Sequence, residues 1–160
     1  MRKTILILAA IFASGLLFVN VYTSLVDARN WGHDIPNSLI AARQYFSVAN
    51  PGSFFRIASP ISQIIALLAL IICWGAGKRV RIYCAVALVL AVSGDLFTYA
   101  YFFPRNDIMF VAPLTSDTES LRAAWSGWTT MNWPRSGILV VQVIFDYLAL
   151  MRVASTPSDQ

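Results

Sequence analysis

Asp95, Asp146 and Arg135 are the residues best placed to do chemistry, because the two carboxyls interrupt long apolar runs and the arginine stands at the start of one. A charge at the centre of a membrane helix costs about 2.5–3.5 kcal/mol on insertion scales, so it is kept where it faces an interior or a cavity. A carboxyl held there can take or give a proton, and a guanidinium can brace a developing oxyanion. Other polar residues recur around these three. The first apolar run carries Asn20, Thr23, Ser24 and Asp27, and the second Arg56, Ser59 and Gln63. The third carries Asp95, Thr98, Tyr99 and Asn106, and the fourth Arg135, Gln142 and Asp146. Residues three or four apart share a helix face, so each run presents one polar stripe. Asp95, Asp146 and Arg135 are the predicted catalytic residues. Asn20, Asp27, Arg56, Gln63, Asn106 and Asn132 are predicted to bind, with Tyr99, Phe102 and Trp128 holding a ring.

Other chemistries lack their residues. The lone His33 lies beside Asp34 in a connection and reads as a surface histidine, and no HExxH, paired-histidine, GxGxxG or Walker pattern occurs. Cys73 and Cys84 flank a short basic turn and form neither a CxxC pair nor a metal cluster with His33. They read as small apolar residues. No metal and no cofactor is implied.

The elements that must position these residues are apolar helices. Hydrophobic residues make up 58% of the chain and charged ones 12%, whereas a soluble domain carries roughly 25% charge. About 20 apolar residues cross the hydrocarbon core as a helix, and four runs qualify, at about 4–26, 56–75, 82–103 and 134–151. The first follows Arg2 and Lys3 like a signal peptide, yet its apolar stretch continues past Ala13, Ser14 and Gly15, so it reads as a retained helix. Pro104 closes the third run and Pro134 opens the fourth, proline being favoured in a first turn. The predicted fold is all-α: an integral membrane four-helix bundle, one domain over 1–160, with short interfacial helices in its two long connections. One such helix is expected from Asn37 to Val48, and another from a capping box at Ser116 and Glu119 through Trp128. Trp31, Trp125, Trp128 and Trp133 fall in these connections, where an aromatic belt is expected.

The net charge of +4 is scattered and makes no basic stripe, which argues against nucleic acid. Lys78, Arg79 and Arg81 concentrate charge in the shortest loop, so both termini are expected in the cytoplasm of a bacterial-type inner membrane. All four stripes occupy the half facing the long connections, while the other half reads Leu6, Leu8, Ile11, Leu67, Leu70, Ile71, Val86 and Leu88. That pattern predicts a pocket opening outward and closed at its floor, rather than a pore, with a small, largely apolar molecule as its partner. Asp95 lies nine residues before Pro104 and Asp146 twelve after Pro134. At about 1.5 Å per residue both sit roughly 14–18 Å deep, so they are predicted to face each other. Two alternatives stand beside the pocket. The polar residues could simply hold helices together, or Phe54, Phe55, Met109 and Phe110 could dock a partner in a non-enzymatic accessory subunit.

Pro104-x-Asn106 at the end of the third run, and Trp128-x-x-x-Asn132-x-x-Arg135 at the start of the fourth, resemble the anthrone-oxygenase-like membrane proteins. The resemblance implies a four-helix bundle with Asn106, Asn132 and Arg135 in its pocket. It also implies oxidation of an anthrone to an anthraquinone without metal or flavin. Asn132 stands where many members of that family carry histidine, and an asparagine cannot act as a base there.

Overall fold

The computed structural model describes residues 1–113 and 117–155. Among them every regular element is helical. Five helices follow in order: α1 (Arg2–Gly32), α2 (Asn37–Tyr45), α3 (Pro51–Ile72), α4 (Lys78–Val111) and α5 (Thr118–Ala154). All but α2 are long and apolar enough to cross a membrane. α1 packs on α3 and α5, and α4 packs on the same two, so the four close a ring. The short α2 lies over one end, against α1 and the last turn of α4.

Small residues lie where the long helices cross, and many large apolar ones lie outside. The contacts between helices bury Ala9, Ala10, Ala13, Ala66, Ala69 and Ala87, which let backbones approach closely. Large apolar side chains such as Ile11, Phe18, Ile57, Ile64, Ile71, Val89 and Leu96 face outward.

Two helices run further than the prolines suggest. α4 does not end at Pro104; it continues to Val111 through two π-helical stretches, Thr98–Phe102 and Asp107–Val111. The wide turn before Pro104 absorbs the ring, and the missing N–H falls where the helix restarts. α5 does not begin at Pro134, which lies inside one unbroken helix from Thr118. The expected interfacial helix through Trp128 is therefore the first half of α5. Its cap is Asp117, whose Oδ1 accepts from the Glu119 N–H at 3.1 Å; Ser116 lies outside the described residues. α3 starts five residues before Arg56, where Asn50 and Ser53 form a reciprocal capping box with Pro51 in the first turn. α1 also carries a π-helical stretch, Thr23–Asp27, and runs on to Gly32.

At the end holding the 73–77 turn, Leu6, Ala69, Cys73, Val80, Cys84 and Ala149 form an apolar plug. Both cysteines are buried thiols. Gly77 takes φ +107° to start α4, a conformation an L side chain rarely adopts. The opposite, loop end holds the aromatic core. Trp31 and Trp128 meet edge-to-face at 5.2 Å, and Trp128 meets Phe102 at 5.6 Å. Trp31 and Trp128 are thus buried, not part of a belt; Trp133 is half exposed.

Candidate functional site

All three π-helical stretches lie at the loop end, and all three contribute to one cavity of about 360 Å³. That volume lies in the range of small-molecule pockets, roughly 300–1,000 Å³. A π turn rotates the side chains that follow it, which lets Thr23, Tyr99, Phe102, Phe110 and Val111 reach one space.

The cavity's charged floor comes from α4 and α5. Arg135 is 7% exposed, and its guanidinium carbon sits 4.5 Å from the Phe55 ring centre and 5.5 Å from that of Phe102. Cation–π contact of this kind holds an arginine without using its N–H donors. Among the described residues nothing accepts a hydrogen bond from this guanidinium. Asp95 lines the same cavity within Coulombic reach of Arg135, and its Oδ2 accepts from Gln63 Nε2 at 2.6 Å. The cavity therefore joins aromatic walls to a guanidinium without a hydrogen-bonded acceptor and to the carboxyls of Asp95 and Asp107.

Its rim is tied by Arg43 of α2. Nε and Nη2 of Arg43 both donate to the Met109 carbonyl, at 3.0 and 2.8 Å, pinning α2 to the last π turn of α4. Partial burial lowers the Arg43 pKa from its ordinary guanidinium value.

Of the predicted residues, Asn20, Arg56, Asp95, Tyr99, Phe102, Asn106, Trp128 and Arg135 line the cavity. Gln63 sits just beneath it, lining a second, small void. Asp27 does not line it. Asn132 does not either: it is fully buried behind the wall, and its Nδ2 donates to Ser24 Oγ and to the Asn20 carbonyl. Asp146 lies elsewhere and does not face Asp95. The Tyr83 and Phe145 rings meet at 5.8 Å and Asp146 lies near Cys84, whereas Gly94 lies against Ile138. Asp146 is thus level with Cys84, about 16 Å along α4 from Asp95. Counting depth from Pro104 and Pro134 misplaced it, because neither proline ends a helix.

Sequence reasoning passed over Phe55, Trp31, Arg43 and Phe110 as lining residues. Phe55 had a signal: it lies four residues before Ser59 and so shares its helix face. The docking patch does not form. Met109 is fully buried, Phe55 and Phe110 line the cavity, and of the four only Phe54 stands exposed. Among the described residues no three histidine, cysteine or acidic side chains converge as metal ligands would.

No family model, curated protein or solved structure matches this chain. Its function must be argued from the cavity.

Proposed function

We propose that the four long helices form a membrane-embedded bundle whose cavity binds a small, largely apolar, aromatic molecule carrying one hydrogen-bond acceptor. In this reading both termini are cytoplasmic and the cavity opens to the other side. The observation that carries it is Arg135: a buried guanidinium, held by two rings, with no hydrogen-bond acceptor among the described residues. A buried guanidinium whose N–H groups lack acceptors is costly, and a ligand carbonyl or phenolate would complete it.

The chemistry such a site supports is proton abstraction followed by oxidation, as in the anthrone oxygenases that the sequence resembles. Asp95 would take a proton from an activated C–H or phenol, and Arg135 with Asn106 would stabilise the oxyanion. Dissolved dioxygen would add to the resulting carbanion, one of its oxygen atoms staying as the new carbonyl and the other leaving as water. Asn132 has no part in this, because its amide is spent on α1.

The test uses protein in lipid nanodiscs and a hydroxylated anthrone. Under anaerobic conditions, saturable quenching of the Trp31 and Trp128 fluorescence is expected. In air, anthraquinone should form faster than in protein-free nanodiscs, and Asp95→Asn should remove that excess while leaving quenching intact. Absence of quenching would overturn the cavity reading. Quenching without faster oxidation would leave a binding protein.

A further inference from the structure

Beneath the cavity floor, α5 buries two polar side chains one turn apart: Gln142, 1% exposed, and Asp146, 2% exposed. Neither Gln142 Oε1 nor Asp146 Oδ2 has a hydrogen-bond donor among the described residues, and both oxygens are closed off from solvent. Two stranded acceptors on one helix face are unusual, since buried polar atoms are overwhelmingly paired.

Among the described residues no neighbouring group is hydrogen-bonded to Asp146 Oδ2, the Cys84 thiol included. From α4, Cys84 is the titratable group facing Asp146. Cys73, just past the end of α3, lies behind Cys84 in the same apolar plug, with Leu6 of α1 and Ala149 of α5. Arg2 of α1 is at the far end of that plug, where its Nε donates to the Ile72 carbonyl at 3.4 Å. On α5 itself, Arg135 faces the cavity above. Among the described residues no arginine or lysine pairs with Asp146. An ionised carboxylate here would be a buried charge without a counter-ion, the arrangement proteins avoid.

A single proton resolves both stranded atoms. Residues four apart on a helix hold their Cβ atoms about 5–6 Å from each other, so a carboxylic acid can reach the amide oxygen one turn away. We infer that Asp146 is a proton-binding site, its carboxyl protonated at neutral pH and donating to Gln142 Oε1. Turning the Gln142 amide over would offer Asp146 one N–H instead, but one neutral donor does not compensate a full charge away from water. The proton is needed in either orientation. A void of about 20 Å³, lined by Gln142, Gln63, Asp95 and Arg135, lies just above. It has room for one water, and Gln142 is the member of the pair that borders it. The inference does not depend on any ligand of the cavity and is tested without one.

Infrared spectroscopy of the full chain in nanodiscs reads it directly. A protonated-carboxyl stretching band is expected at neutral pH, lost in Asp146→Asn and retained in Asp95→Asn. Gln142→Leu should keep the band and move it to higher frequency, because a carboxyl freed of its hydrogen bond vibrates faster. If Asp146→Asn fails to fold, wild-type protein labelled with carbon-13 at aspartate carboxyls replaces it: the band should shift with the label and persist in labelled Asp95→Asn. No band at neutral pH, or a band lost in Asp95→Asn, overturns the inference.

Discussion

Asn20 and Asn132 hold matching positions in two antiparallel helices, and each serves the serine that follows the other by one turn. Asn20 Nδ2 donates to Ser136 Oγ at 2.8 Å, and Asn132 Nδ2 donates to Ser24 Oγ. Each serine in turn donates to its own asparagine's carbonyl, Ser24 to Asn20 at 3.1 Å and Ser136 to Asn132 at 3.0 Å. The result is a reciprocal clasp of Asn-x-x-x-Ser motifs between α1 and α5, directly behind the cavity wall.

Breaking the clasp should cost stability. Asn132→Leu removes donors to both Ser24 and the Asn20 carbonyl, and is expected to destabilise by about 1–2 kcal/mol. A double-mutant cycle of Ser24→Ala with Asn132→Leu should show a coupling near ~0.6 kcal/mol, the usual size for one polar contact between membrane helices. Unfolding in mixed detergent micelles measures both. Additive effects would show that the two side chains do not act as a pair.

At Gly32, α1 passes Trp125 of α5 with no room for a side chain. A Cβ there would lie 2.0 Å from Trp125 Cε2, and the Trp125 Nε1–H donates to the Ala28 carbonyl at 2.7 Å. Gly32→Ala must push the indole aside, with an expected loss of about 1–3 kcal/mol. Trp125→Phe, which removes only the hydrogen bond and a little volume, should cost roughly 1 kcal/mol. Thermal unfolding followed by near-ultraviolet circular dichroism ranks the two variants.

The proposed role of Arg135 predicts that a lysine cannot replace it. Arg135→Lys keeps the charge but loses the planar face lying on Phe55 and Phe102 and the two-pronged donor set. Anthrone binding in nanodiscs should weaken about tenfold, equivalent to about 1.4 kcal/mol, with little change in thermal stability. Unchanged affinity would reduce Arg135 to a charge that anchors α5.

Orientation is tested by thiol labelling. Val48 is 97% exposed between α2 and α3, and Arg79 is exposed at the start of α4. In intact cells, Val48→Cys should react with an impermeant maleimide and Arg79→Cys should react only after lysis. The native Cys73 and Cys84 are buried and give little background. The reverse pattern would invert the proposed topology.

Four apolar runs with polar stripes were enough to specify four long helices and most of the cavity's polar lining. Apolar composition over about 20 residues leaves the backbone few choices but helix, and spacing of three and four tells which face is polar. Asn20, Arg56, Asp95, Tyr99, Asn106 and Arg135 were legible for that reason. The helix ends were not. Pro104 and Pro134 look like boundaries in one dimension, yet a π turn accommodates the first and α5 runs unbroken through the second. Tertiary structure also decided which polar residues meet. Asn132 turned to α1 and Asp146 to Cys84, because the register between antiparallel helices is set by contacts such as Asn20–Ser136, 116 residues apart in the chain. Periodicity fixes a side chain's direction around its own helix. Its height against a neighbouring helix follows from packing across the interface, which no local pattern encodes.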